Sequence, residues 1–407
     1  MTNNLLKDRI QKEALNQWIT NEKKGTIELA TGIGKTILAL HALYTMDSNS
    51  DVHLFLAETV GRKKDLLKEI EKYNELFDRD VFQDYNLQFY CYQTVYKWAG
   101  RNFGLIIGDE IHDSLSPAYS KFYFNNNYKA IIGLSATIDR KTSYEEDNIR
   151  FTKGDLLDKI APSIYKYTIN QGQVEGVSRK LNMYIVPQYL DCVNKNILAG
   201  SVKNRFYQTE KAAYDYWDKE HKKAWFILDD TLKDLKIRIT STKRSNLLFN
   251  LPSKQNVVKK LLTNLNNKTI LFGNSLDSLL NITKDTVSSR NTEDKNNEII
   301  DKFDNDELDL IASFKKLKQG ANLENADNCI LMSYYSTEKD IIQRIGRLRN
   351  NGKIGSVFIL LTRYTQEEVW FGKMMNSVTD FNIIHCNDID DCIAKYKQNE
   401  ENNNFML

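Results

Sequence analysis

The 407-residue chain has no dominant charge: 56 Lys and Arg stand against 54 Asp and Glu, a formal net +2. The strongly basic balance of many nucleic-acid proteins is therefore missing. Any such binding must come from local clusters, backbone contacts or helix ends. No apolar run approaches the roughly 18 residues that cross a bilayer. The opening "MTNNLLKDRIQKEA" has neither the apolar core nor the cleavage site of a secretory leader. Cysteine is sparse, and Cys91, Cys192, Cys329, Cys386 and Cys392 are odd in number and scattered. A disulfide framework is not expected; reduced thiols in a cytosol-like compartment are. His385, Cys386, Asp391 and Cys392 lack the second cysteine pair of a zinc site and read as loop residues.

What is present is a rhythm of short apolar runs. "GTIEL" (25–29), "VHLFLAE" (52–58), "LQFYCYQT" (87–94), "FGLIIGDE" (103–110) and "KAIIGLSAT" (129–137) alternate with helical stretches. The rhythm returns in "KTILFGNS" (268–275), "LDLIASF" (308–314), "ADNCILMSYY" (326–335) and "GSVFILLTR" (355–363). Such alternation predicts parallel sheets covered by helices on both faces. The length suits two such α/β domains. We expect an N-terminal domain over 1–171 and a strand-plus-helical connector over 172–250. A second domain is expected over 251–376, and a helix with a frayed tail over 377–407.

One absence is more pointed. The P-loop pattern G-x-x-x-x-G-K-[ST] needs a glycine where this chain has Leu29, in "LATGIGKT" (29–36). The rest of the stretch still suits a phosphate grip between a strand and a helix. Gly32 and Gly34 permit a tight turn, with Thr31 and Ile33 completing the loop. The following helix offers its positive end to an anion. Lys35 would reach the outer phosphates and Thr36 would ligate magnesium. Downstream, "LIIGDEIHDS" (105–114) ends a buried strand in Asp109, a candidate metal ligand, and Glu110, a candidate to orient or deprotonate water. His112 could couple this site to a neighbour. A chance glycine turn and a solvated acidic turn are the blander alternatives.

"ATGIGKT" and "DEIH" resemble motifs I and II of superfamily 2 helicases, many of which lack the first P-loop glycine. Further segments resemble the remaining motifs in order, over about residues 5 to 375. Gln11 is similar to the upstream glutamine that reads adenine, although Ile10 stands where an aromatic residue is frequent. "AETVGRKKDLL" (57–67) and "YQTVYKW" (92–98) resemble strand-contacting segments, implying nucleic-acid contacts at Thr59, Arg62 and Thr94. "SAT" (135–137) resembles motif III, implying coupling roles for Ser135 and Thr137. "ILFGNS" (270–275) resembles motif IV, implying nucleic-acid contacts at Asn274 and Ser275. "KLKQGANLENAD" (316–327) resembles motif V, with Gly320 near the nucleotide and Asn322 where an acid is common. "QRIGRLRN" (343–350) resembles motif VI, with Gln343 and Arg347 as catalytic candidates and Arg344 and Arg349 as nucleotide contacts. Its last arginine comes one position early.

The resemblance implies two tandem RecA-like domains with an ATP cleft between them, using ATP and Mg2+. Within the superfamily the chain looks similar to bacteriophage branched-DNA and recombination helicases and to restriction-enzyme motors. It implies a DNA helicase or translocase that unwinds or branch-migrates DNA at branched or single-strand/duplex junctions. An RNA helicase, or a non-unwinding ATP-driven switch working as a subunit, are the alternatives. No membrane partner is expected, and protein partners are left open.

Overall fold

The computed structural model describes residues 2–46, 51–146, 148–314, 326–334, 344–346, 348, 350–375 and 381–404. They form two units that divide in sequence between Arg179 and Lys180. No helix among the described residues is long and apolar enough to cross a membrane.

The first unit holds β1 (Lys24–Leu29), β2 (His53–Ala57), β3 (Leu87–Cys91), β4 (Asn102–Asp109), β5 (Asn127–Ser135), β6 (Ser143–Glu146), β7 (Ile149–Thr152) and β8 (Ser163–Tyr167). Strands β6 and β7 pair as a small antiparallel ribbon. The other six form one sheet in the order β3-β2-β4-β5-β1-β8, every pairing parallel. Their apolar runs are nearly continuous because both faces are covered. Successive residues serve opposite cores: Phe55, Ala57, Leu105, Ile107 and Ile132 face one, and Leu54, Leu56, Ile106 and Ile131 the other.

The first core is closed by α1 (Thr2–Thr20), α2 (Lys35–Leu43) and α3 (Val60–Phe77). Ile10, Ala14 and Trp18 of α1 pack there beside Leu38 and Leu40 of α2 and Leu66 and Ile70 of α3. Trp18 is fully buried, and its indole N–H donates to the Ile131 carbonyl at 2.8 Å. That bond satisfies the ring's one polar group while its apolar body fills the core. Helix α3 starts where Thr59 accepts a hydrogen bond from the Arg62 amide at 3.1 Å, capping the first turn.

The second unit holds β9 (Leu181–Gln188), β10 (Ile197–Ser201), β11 (Asn204–Gln208), β12 (Thr269–Gly273), β13 (Thr286–Val287), β14 (Leu310–Phe314), β15 (Asn328–Leu331), β16 (Gly355–Thr362) and β17 (Asn382–His385). Seven of these form a second all-parallel sheet, ordered β13-β14-β12-β15-β16-β9-β17. The chain thus has the two parallel-sheet α/β domains expected of it. Two details differ from the sequence expectation. Strand β9, expected in a connector, lies inside this sheet between β16 and β17, where its run is buried almost throughout. Strand β17 comes from the segment expected to be only helix and tail.

The segment expected as a strand-plus-helical connector also contains the β10–β11 hairpin. Helices Glu210–Ala224 and Asp230–Phe249 follow, tied together by His221 to Thr240 and Asp218 to Arg244. Lys254 and Glu367 form an ion pair at 2.6 Å, both fully buried. Lys254 also donates to the Leu248 carbonyl, and Glu367 accepts from the Thr362 amide. Those bonds compensate the desolvation of both charges.

Trp18→Ala should destabilise the first unit by about 3–5 kcal/mol through lost burial and the cavity left behind. Denaturant unfolding followed by circular dichroism measures this; a change under about 1 kcal/mol would contradict the packing described.

Candidate nucleotide-binding site

Leu29 is the last residue of β1 and is fully buried in the first core. The missing P-loop glycine is therefore a core position at a strand end, ahead of the turn. The turn itself is made by Gly32, at φ 86°, and Gly34, at φ 95°. Both lie in the left-handed region that only glycine enters without cost. Gly34 caps the start of α2, and Lys35 and Thr36 form its first turn. The helix N-terminus and its unpaired amides thus sit at the C-terminal edge of the sheet. Gln11 of α1 supports the loop from beneath: its amide donates to the Ile33 carbonyl at 2.7 Å, and it is buried. A Cβ at residue 34 would come within 2.6 Å of the Gln11 amide nitrogen.

The carboxylates arrive from β4. Asp109 ends that strand with only 2% of its side chain exposed. Glu110 follows in the left-handed conformation, φ 47°. A non-glycine residue there stores roughly 1–2 kcal/mol of strain. The turn brings the Glu110 carboxylate to Lys35, 2.9 Å away, with both side chains largely buried. The Ser135 hydroxyl lies 3.0 Å from the other Glu110 oxygen and 2.8 Å from His112 Nδ1. Ser135 also reaches the backbone of Thr137. The sequence-expected set Lys35, Glu110, His112, Ser135 and Thr137 is thus gathered at one strand edge. His112 is 1% exposed and also approaches Asp113.

Arg62 is the largest departure. Expected at a nucleic-acid strand, it points inward from α3, and its Nε donates to Asp109 Oδ2 at 2.7 Å. Its Nη1 donates to Glu69 at 2.9 Å. Burial opposes the charge on Arg62, but Asp109 and Glu69 outweigh it and raise its pKa. Burial pushes the Asp109 carboxyl above its ordinary value, and Glu110 pushes it the same way while Arg62 offsets part of the shift. Glu69, which sequence reasoning did not single out, also accepts a short hydrogen bond from the Thr36 hydroxyl. Its only signal in the sequence is its spacing of seven from Arg62, two turns along one helix face.

Thr59, capping α3, and Thr94, in the short helix Tyr92–Val95, are exposed on the first unit. In the second unit Asn274 and Ser275 are buried and engaged within the fold. The Asn274 backbone N–H donates to Ser333 Oγ, while Ser275 caps the helix Leu276–Leu280 and reaches Asn250. Arg344, expected at the nucleotide, is 5% exposed and donates to the Ser333 carbonyl and the Asn274 side chain. Its guanidinium lies over the Phe272 ring, 5.5 Å from the centroid. These bonds organise the second unit. Gly320, Gln343, Arg347 and Arg349 lie outside the described residues.

Residues 6–140 match the family "Type III restriction enzyme, res subunit", and residues 253–352 the "Helicase conserved C-terminal domain". Both matches fall on the two sheet units and in that order. Together the two matches support a superfamily 2 helicase. It is 26% identical over 393 residues to the DNA 3'-5' translocase XPB2 of Sulfurisphaera tokodaii, covering 89% of this chain and 84% of that one. Among solved structures, the Type ISP restriction-modification enzyme LlaBIII bound to DNA superposes with TM-score 0.58 at 14% identity. That match covers 92% of this chain but 31% of the enzyme, so the chain spans about a third of its length. Saccharomyces cerevisiae Dbp5 bound to RNA and ADP BeF3 gives 0.60 at 12% identity, covering 96% of this chain and 92% of Dbp5.

The donor set around Thr36 and Asp109 suits a hard cation. Both offer oxygen, and both are held by neighbours that fix their orientation. Among the described residues no group of three or more His, Cys, Asp or Glu forms a metal cage. Magnesium is commonly bound by one or two protein oxygens together with substrate phosphates, which fits this helicase loop.

Gly34→Ala places a Cβ against Gln11 and forces alanine to φ 95°. Nucleotide affinity should fall at least about tenfold, 1.4 kcal/mol, as the loop shifts. Equilibrium titration with a fluorescent ATP analogue measures it; wild-type affinity would contradict the loop's assigned role.

Proposed function

We propose that this helicase is a DNA-dependent ATPase that translocates along or remodels DNA, with branched DNA as its preferred substrate. The observation that carries the reading is the meeting of Lys35, Thr36, Asp109 and Glu110 at one sheet edge, beside a glycine turn that opens a helix. The family and the translocase relative support DNA over RNA as the substrate, with DNA contacts proposed at the exposed Thr59 and Thr94.

In the proposed site the amides of residues 32–36 and the start of α2 cradle the phosphates. Lys35 exchanges its Glu110 partner for phosphate oxygens, and Glu110 is released to orient the attacking water. Thr36 and Asp109 hold magnesium, which when bound supplies charge neutralisation on the phosphates. Ser135 and His112 keep the Glu110 carboxylate aimed and report its state to the strand edge at Thr137. Arg347, in the segment that resembles motif VI, would stabilise charge on the transferring phosphate. DNA is gripped through phosphate contacts, which gives binding without sequence preference.

The test is ATP turnover across branched DNA, single-stranded DNA, duplex DNA and RNA, with wild type and three variants. Wild type should be stimulated most by branched DNA. Lys35→Ala and Glu110→Gln should each lower turnover by about two orders of magnitude or more, with ATP still bound by Glu110→Gln. Arg347→Ala should lower turnover more than it weakens ATP binding. Stimulation by RNA alone would overturn the DNA assignment, and wild-type turnover in Lys35→Ala would overturn the site.

A further inference from the structure

The Arg62–Glu69 pair lies in the candidate nucleotide site, yet neither side chain has a part in the chemistry described above. Both stand on α3, seven residues apart, and therefore on one face of that helix. Three hydrogen bonds run through them in series. The Thr36 hydroxyl donates to Glu69 Oε2, Arg62 Nη1 donates to Glu69 Oε1, and Arg62 Nε donates to Asp109 Oδ2. The series joins the first turn of α2 to the end of β4 by way of α3. Its two ends are the two residues assigned to magnesium.

The direction of each bond matters. A threonine hydroxyl has one proton and two lone pairs. With the proton given to Glu69, the lone pairs stay available to a cation. At Asp109 the guanidinium takes Oδ2 and leaves Oδ1 to the metal. Arg62 is 11% exposed at its side chain and spends two donors inside this network, so it is not a solvated basic face. Three carboxylates, Glu69, Asp109 and Glu110, meet two cations, Lys35 and Arg62, within the same few side chains. Arg62 therefore holds the Asp109 carboxylate in one orientation and sets a positive charge against it.

We propose that Arg62 and Glu69 are positioning residues that preset Thr36 and Asp109 for the magnesium of a bound nucleotide. The proposal rests on the nucleotide-site reading above. Partners that orient metal-binding groups commonly tune metal affinity by about 10–100-fold without touching the ion. Glu69 is the better probe because its side chain is 40% exposed, so its removal opens no core cavity.

The experiment is equilibrium binding of a fluorescent ATP analogue to the full chain, titrated with Mg2+ and repeated in EDTA, with thermal melting of each variant. Glu69→Ala should raise the half-saturating Mg2+ concentration by about 10–100-fold while leaving metal-free binding and melting unchanged. Glu69→Gln, which keeps an acceptor for Thr36, should recover part of the loss. Arg62→Gln should shift the Mg2+ dependence in the same direction, and the double variant should cost less than the two singles combined, because both act through one series of bonds. Wild-type Mg2+ dependence in Glu69→Ala would overturn the proposal, as would equal loss of binding with and without Mg2+. So would an Arg62→Gln protein that binds DNA poorly with its Mg2+ dependence intact. Lys35→Ala, measured beside them, separates the two readings. If it loses the analogue while Glu69→Ala behaves as wild type, only the positioning role falls. If Lys35→Ala binds normally, the nucleotide site falls and the positioning role with it.

Discussion

Asp109 is a carboxylate taken almost wholly out of water at the end of a parallel strand, and a charge there needs a partner. Much of the first unit's polar edge is organised around that need. Arg62 turns inward to meet it, Glu69 anchors Arg62, and Glu69 in turn fixes Thr36 at the start of α2. Beside it Glu110 is held in a left-handed turn, where Lys35 and Ser135 share its two oxygens. The sheet makes this possible because β1 and β4 end on the same edge, with β5 between them. Parallel strands deliver their C-terminal ends together, and that edge is where ligands gather in such folds.

The local signals in the sequence were sufficient where one segment carried the whole answer. "LATGIGKT" gave strand, glycine turn and helix within a few residues, and the structure places Leu29, then Gly32 and Gly34, then Lys35 in those three settings in order. The carboxylates of "GDEIH" stood out because they follow a phosphate-loop pattern, since alone such a pair can equally be a solvated turn, and the structure brings Glu110 to Lys35. Leu29 was also decidable: a core residue can replace the first glycine because the backbone is still strand there.

What was not legible depended on which way a helix face points. Arg62 lies in a basic stretch with Lys63 and Lys64, and nothing in that stretch says which side chain turns inward. Its inward direction follows from α3 packing Leu66 and Ile70 onto the sheet, a tertiary fact. Glu69 was invisible until that face was known. Asn274 and Ser275 looked like strand-end contacts, but the residues that bury them, Ser333, Arg344 and Asn250, come from distant parts of the chain. Strand β9 was misplaced because no other strand of its sheet lies near it in sequence, and its partners, β16 and β17, come almost two hundred residues later.

The central claim is that residues 30–36 and 109–112 together form a magnesium-nucleotide site. Hydrogen-exchange mass spectrometry, with and without a non-hydrolysable ATP analogue and Mg2+, tests it most directly. The account predicts slowed exchange in peptides covering 30–37 and 108–113, with the 30–37 protection absent in Lys35→Ala. Unchanged exchange in both peptides at saturating analogue, or protection confined to other segments, would contradict it.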